Sequence, residues 1–267
     1  GLMDVDFNNN ENWYKWDGFK WLQETSSIPG SIDEIFVMPN STAGLCVSVN
    51  NTLLTSADIN SLMVSNGGTT TFSGNVSLLG DIMNDGTITG GTSTVTMNAD
   101  TDQTLSGTGN FNFNVLTINK TNSNLILSAP ITVEGTLNMN IGNIVNTNNI
   151  VTIGTSSSNP GTLSHTSGVI TGQLRRYFSN GAGSTFFPIG SSTAMRDVSI
   201  DIQGSPGTNQ YLTAAYVTGC PQGQSGNLYE GLPLTTSDGQ LVENYKEEGY
   251  WEIVPTDNDY TSQINSK

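Results

Sequence analysis

Val95-Thr96-Met97 recurs as Leu116-Thr117-Ile118 and again as Leu137-Asn138-Met139, at one constant step along the chain. A second series of apolar pairs has a slightly shorter constant step, namely Phe111/Phe113, Ile131/Val133 and Val151/Ile153. A third, looser series comprises Leu105, Leu125/Leu127 and Ile144. Side chains at i and i+2 share one face of a strand, and repeats of about 20 residues are typical of stacked coils. Three inward-facing pairs per coil predict an all-β fold built on a right-handed, three-sided parallel β-helix.

Changes in this pattern divide the chain into three predicted regions. Residues 1–40 form an aromatic-rich lead-in or cap, residues 41–172 the parallel β-helix, and residues 173–267 a second β domain. At about 20 residues per coil, the middle region accommodates six or seven coils, a stack about 30 Å long. Beyond residue 172, longer alternating segments separated by turns favour an antiparallel β-sandwich-like domain.

The lead-in contains a cluster of aromatic residues: Trp13, Tyr14, Trp16, Phe19 and Trp21. The cluster has two interpretations, a hairpin or cap over the open end of the solenoid, or a platform on which sugars stack. We favour the cap, because the terminal coil of a solenoid otherwise exposes strand edges and core.

The charge balance restricts the classes of partner. The chain of 267 residues has 8 Lys and Arg against 23 Asp and Glu, a formal net charge of −15. Such a surface repels phosphate backbones, so we do not expect nucleic-acid binding. No apolar stretch approaches the roughly 20 residues of a membrane helix. Acidic composition instead fits an extracellular or cell-surface protein that contacts glycans or other proteins.

The cysteines and the ends of the chain give less information about fold and function than the charge balance does. Cys46 and Cys220 are too few and too distant to form a disulfide framework. Whether they pair stays open, and we favour two separate buried thiols. The start lacks the basic and apolar segments of a signal peptide. Because both ends also lack closing elements, we interpret the chain as part of a longer secreted protein.

Residues suited to metal binding are few. His165 is the one histidine, which excludes a multi-histidine zinc site. The segment from Asp4 lacks the glycine and glutamate of an EF-hand loop. Two acidic pairs, Asp100/Asp102 and Asp257/Asp259, leave Ca²⁺ as an alternative, but we favour solvated surface. We therefore predict no metal site and no cofactor.

Polysaccharide-cleaving β-helices need converging carboxylates in one groove. The coil region offers five acids and one base: Asp81, Asp85, Asp100, Asp102, Glu134 and Lys120. We expect no recurrence of these acids at the coil step, and we predict no catalytic residues. Arg175 and Arg176 are adjacent and therefore face opposite sides of a strand, one of them pairing with a carboxylate. Threonines suggest an ice-binding face, but the register places Asn138 in the column of Thr96 and Thr117, which breaks the ladder.

Several runs resemble secreted surface proteins of the Bacteroidota. They are Asn114–Lys120, Pro130–Met139, Gly154–Gly161, Arg175–Phe178 with Phe187–Gly190, Glu248–Ile253 and Trp16–Asp33. The resemblance implies large modular, adhesin-like proteins, typically exported by the type IX route, although the C-terminal sorting domain of such proteins is not visible here.

These observations together lead us to expect a non-catalytic, adhesin-like structural module. The alternative is a carbohydrate-binding or polysaccharide-degrading β-helix protein, using the tryptophan cluster or a site near Tyr229 and Trp251.

Overall fold

The structure is a computed structural model. It describes residues 5–6, 9–10, 13–23, 26–37, 52–54, 57–179, 183–202, 210–219, 234–235, 241–242, 249–256 and 264–266. These residues form 26 strands, numbered β1 to β26 in chain order.

Most of the strands build a parallel β-solenoid of about six turns with three faces. Face A contains β4 (Glu34–Val37), β7 (Ser61–Val64), β10 (Ile82–Asn84), β13 (Gln103–Ser106), parts of β14 (Asn110–Leu127), β15 (Ile131–Ile153) and β17 (Ile170–Tyr177), and β19 (Ile189–Ser191). Face B contains β1 (Val5–Asp6), β5 (Thr52–Leu54), β8 (Thr69–Phe72), β11 (Thr87–Thr89), both ends of β15, the start of β14 and the rest of β17. Face C contains β6 (Ala57–Ile59), β9 (Asn75–Leu78), β12 (Thr94–Met97), the middle of β14 and of β15, and β16 (Thr162–His165).

The register confirms the repeats found in the sequence. Val95 pairs with Leu116, and Leu116 pairs with Leu137, so the series that begins at Val95 is one column on face C. Phe111 likewise pairs with Ile131 on face B, and Leu125 pairs with Ile144 on face A. Each corner between faces introduces a register shift, as between Phe113 and Val115, which explains why the three series have different steps.

The core is one continuous apolar cluster along the solenoid axis. Inward positions such as Leu78, Val95, Leu116 and Leu137 are completely buried. Stacking like side chains at the strand spacing of about 4.8 Å keeps apolar groups in contact from turn to turn. Burial of this column is therefore the main force that holds the turns in register.

Gly90 allows two aromatic rings to stack in this core. The rings of Phe72 and Phe113 stack with centroids 6.3 Å apart and planes inclined by 20°, although the turn that contains Gly90 lies between them. A Cβ atom on Gly90 would overlap the backbone of Phe113 and the backbone nitrogen of Asn114. The missing side chain thus lets two turns approach closely enough for the rings to meet.

We expect Gly90→Ala to destabilise the fold by about 3 kcal/mol, the upper range for overpacking, because backbone atoms cannot move aside cheaply. Urea unfolding followed by circular dichroism measures the loss. Gly30→Ala is the matched control, since its nearest neighbour would be a side-chain oxygen of Asp33 at 4.0 Å. Equal unfolding midpoints for the two variants would contradict this account of Gly90.

The lead-in forms an antiparallel hairpin. Its strands are β2 (Tyr14–Trp16) and β3 (Trp21–Gln23). The Asp17 carboxylate accepts the backbone N–H groups of Phe19 and Lys20, each at 2.8 Å, and these bonds lower its pKa. The next strand, β4, already pairs in parallel with β7 of the solenoid.

Antiparallel strands follow the solenoid. In one sheet, β17 pairs with β22 (Tyr211–Val217), which pairs with β25 (Tyr250–Pro255), and β19 pairs with β20 (Ala194–Met195). A second sheet contains β18 (Gly183–Phe187), β21 (Val198–Ile202) and β26 (Ile264–Ser266). A separate short pair joins β23 (Leu234–Thr235) and β24 (Leu241–Val242). The region boundaries at residues 40 and 172 stay predictions.

Across the described residues, no helix has the length and apolar character needed to cross a membrane.

Candidate functional surfaces

Three of the five coil carboxylates accept backbone amides of the next turn. Asp81 Oδ1 accepts the N–H of Thr104 at 2.7 Å. Asp85 Oδ1 accepts the N–H of Thr108 at 3.0 Å. Asp102 Oδ1 accepts the N–H of Asn124 at 2.7 Å. Asp81, Asp85 and Asp102 thus each commit one carboxylate oxygen to a contact between turns.

Asp81 and Asp102 share the sequence spacing of Val95 and Leu116, but the register of face A does not place them in one column, in line with the expectation that these acids do not stack. Each of them immediately precedes a face A strand, β10 and β13 respectively, but Ile82 pairs with Leu105, which puts Thr104 rather than Asp102 opposite Asp81. Both bond to the following turn. Each carboxylate bonds the amide of the residue opposite it on the next turn, so it links two successive turns.

Lys120 is a buried structural cation. Its side chain is fully buried, and Nζ donates to the carbonyls of Ala99 at 3.0 Å and Thr101 at 2.8 Å and to Gln103 Oε1 at 2.8 Å. Three acceptors match the three N–H bonds of an ammonium group. Burial lowers the pKa of Lys120, and the nearby charges of Asp102 and of two further aspartates oppose that shift.

His165 is held by its surroundings. Its Nε2 lies 2.8 Å from the carbonyl oxygen of Gly168, and its ring packs on Phe186 with centroids 5.4 Å apart. Because a carbonyl only accepts, Nε2 carries the proton in this contact. The ring therefore fastens a corner of the solenoid to β18.

The two adjacent arginines face opposite sides of β17, as expected. Arg175 stacks over the ring of Tyr211 at 4.1 Å from the centroid, while Arg176 donates to the carbonyl oxygen of Phe186 at 2.9 Å. Burial lowers the pKa of Arg176 to about 10. Among the described residues, Arg175 thus contacts an aromatic ring and Arg176 a backbone carbonyl, where a carboxylate was expected for one of them.

Face C carries a polar outer column in which Thr96 pairs with Thr117, and Thr117 pairs with Asn138. The side-chain amide of Asn138 donates to Thr117 Oγ1 at 3.2 Å. The column is therefore mixed, as the spacing predicted, and its amide is engaged with its neighbour.

The aromatic lead-in divides between core and solvent. Trp13 is partly buried against the core cluster, whereas Trp16 is 50% exposed and Phe19 is 91% exposed. Trp251 is 48% exposed on β25, where its indole N–H donates to the carbonyl oxygen of Arg196 at 2.8 Å. Trp13 thus packs as a cap would, and Trp16 and Trp251 present their rings to solvent.

A shallow groove of about 140 Å³ lies on the outer side of face A, in its first three turns. One side is the acidic column, Glu34, Ser61 and Asp81, and the other is the apolar column, Phe36, Met63 and Met83. Phe36 pairs with Met63, which pairs with Met83, so the apolar column is continuous. This surface lies outside the regular sequence repeats.

Several predicted features lie outside the described residues: Cys46, Cys220, Asp4, Tyr229 and the Asp257/Asp259 pair. Within the described part of the chain, no cluster of three or more His, Cys, Asp or Glu side chains is placed to hold a metal ion.

No protein-family profile, curated protein or solved structure matches this chain. The β-solenoid fold is what the structure establishes, and the resemblance to Bacteroidota surface proteins stays a hypothesis.

Proposed function

We propose that this chain is a non-catalytic, extracellular, adhesin-like structural module of a larger secreted protein, exposed at the cell surface. A right-handed parallel β-helix followed by a β-sandwich-like domain would form a stiff spacer with polar outer faces. The right-handed sense follows the general preference of parallel crossover connections. The type IX export route belongs to the same proposal and rests on the sequence resemblance.

The observation that carries the proposal is the use made of the charged groups. Asp81, Asp85 and Asp102 accept backbone amides across turns, and the Lys120 ammonium is saturated by oxygen acceptors. Groups used in this way hold turns together, which suits a stiff spacer. A general acid or base instead needs access to a substrate proton.

Carbohydrate binding or polysaccharide cleavage is the alternative function. Trp16 and Trp251 favour it, because each exposes about half of its surface and an exposed aromatic ring is suited to packing against the apolar face of a sugar. A glycan array screened with and without Ca²⁺, with tryptophan fluorescence measured on each hit, separates the two functions.

We expect no glycan to change the fluorescence and no polysaccharide to be shortened, while beads coated with the folded chain adhere to cell surfaces. Beads coated with heat-denatured chain are the control. A glycan hit abolished by Trp16→Ala or Trp251→Ala would support the alternative, as would release of reducing ends. Failure of the coated beads to adhere would contradict the adhesive role.

A further inference from the structure

We infer that the groove between the acidic and apolar columns of face A binds an extended protein segment in which basic side chains alternate with apolar ones. The inference adds a specific binding surface to the spacer and does not depend on the spacer's role in adhesion. It rests on exposure, register and charge in the first three turns.

The apolar column is unusual for an outer face. Phe36, Met63 and Met83 are 40%, 38% and 41% exposed, and they occupy equivalent positions on three successive turns. The column then ends, because Met83 pairs with Ser106 on the next turn. Contiguous exposed apolar groups rimmed by polar ones are typical of binding surfaces.

The acidic column defines the charge of the occupant. Glu34 pairs with Ser61, and the strand that begins beside Asp81 pairs with the strand of Ser61. The carboxylates of Glu34 and Asp81 line the same groove. Asp81 commits one oxygen to the Thr104 amide, which leaves its second oxygen and the Glu34 carboxylate to receive cations.

The geometry of the two columns fits alternating side chains. The acidic and apolar columns are two residues apart along each strand, a distance of about 6.6 Å, and successive members of one column are about 4.8 Å apart. A Lys or Arg side chain packs its apolar stem along such a surface while its charged head reaches a carboxylate. Met63 and Met83 adapt their shape readily, so the apolar column accepts several kinds of apolar side chain.

A second copy of this chain is a poorer occupant. It would bring a further net charge of −15 to a surface already lined by carboxylates, which opposes association. Neutral glycans would leave the charges of Glu34 and Asp81 without a counterpart. Charge complementarity therefore selects a basic peptide segment.

The test measures binding of three fluorescent peptides to the whole chain by anisotropy. The first alternates Lys and Leu, the second replaces Leu with Ser, and the third replaces Lys with Glu. We expect the Lys/Leu peptide to bind best and the Glu/Leu peptide not to bind. Raising the ionic strength should weaken binding, because the contact is partly electrostatic.

Substitutions separate the groove from the general acidity of the chain. The triple variant Phe36→Ser, Met63→Ser, Met83→Ser leaves the net charge unchanged and should weaken binding of the Lys/Leu peptide roughly tenfold or more. Leu79→Ser is its matched control, since Leu79 is 37% exposed but does not line the groove. Glu34→Gln should also weaken binding, whereas Glu252→Gln, at an exposed site away from the groove, should not.

Thermal unfolding of each variant verifies that the fold is kept, and the exposed positions make this the expected result. The inference is wrong if no peptide binds, if the Lys/Ser peptide binds as well as the Lys/Leu peptide, or if the triple variant binds like the parent. It is also wrong if the triple variant only abolishes self-association or binding of a neutral glycan.

Discussion

Val133→Asp is expected to prevent the chain from adopting its β-solenoid. Val133 is fully buried and pairs with Phe113 of the preceding turn, itself fully buried. An ionised carboxylate there has no donor among its apolar neighbours, and burying such a charge costs many kcal/mol unless the group is neutralised. Far-UV circular dichroism and size-exclusion chromatography should show loss of β structure and aggregation.

Thr132→Asp is the matched control for this prediction. Thr132 is the adjacent residue of the same strand, points to the opposite face and is partly exposed. Since successive side chains of a strand alternate in direction, the same carboxylate at position 132 reaches water and should leave the fold intact. A soluble Val133→Asp variant that unfolds cooperatively at the midpoint of the parent would show that the assigned register is wrong.

A milder variant keeps the test informative if Val133→Asp cannot be purified. Val133→Ala removes two methyl groups from the same column and should cost about 2 kcal/mol, toward the lower end for truncation of a larger core side chain to alanine. Thr132→Ala on the outer face should change the free energy of unfolding by less than about 0.5 kcal/mol. Urea unfolding of this second pair measures the same register without requiring a misfolded protein.

The apolar columns were predictable from sequence because alternation carries direct geometric information. Pairs such as Leu116/Ile118 and Leu137/Met139 show both the inner face and the length of a turn, and the register agrees. Position within a strand is a local property, so one sequence is enough to determine it. Beyond residue 172, β22 and β25 pair antiparallel, as the longer alternating segments predicted, whereas β17 and β19 still pair in parallel with solenoid strands.

The inward polar residues were not predicted because polar side chains are ordinarily expected on the outer face. Lys120 continues the alternation of Leu116 and Ile118, and it is as buried as they are. Gln103 and Leu105 show the same relation, and both are buried. The parity of the spacing was a usable signal, but identifying the oxygens that compensate such a residue requires the neighbouring turns.

The groove on face A was not predicted because its apolar residues point outward. Ile35-Phe36-Val37 and Leu62-Met63-Val64 are short apolar runs, and alternation requires the middle residue of each run to point outward. Neither run belongs to the regular repeat, so the sequence did not show that Phe36 and Met63 share a column. The step from Phe36 to Met63 is longer than the step of the regular series, so the repeat could not align them.

The cost of removing the Lys120 ammonium from water opposes the gain from its three hydrogen bonds. The balance of these two contributions predicts the effect of Lys120→Met. Replacing a buried charge with an apolar side chain of similar length removes a desolvation cost and can be neutral when the partners are replaced with it. Here the partners stay. The carbonyl of Ala99 and the amide oxygen of Gln103 lie at buried positions and would lose a donor.

Lys120→Met should therefore destabilise the solenoid by about 2–4 kcal/mol, since each buried acceptor left unsatisfied costs about 1–3 kcal/mol. Ser123 Oγ still donates to the Ala99 carbonyl, which keeps the loss below that for all three acceptors. Lys20→Met, on the exposed turn of the hairpin, removes the same charge and should change the unfolding midpoint little. If both variants unfold like the parent, the ammonium does not hold these turns together. Amide hydrogen exchange at Thr104 and Asn124 should in that case be the same in Lys120→Met as in the parent.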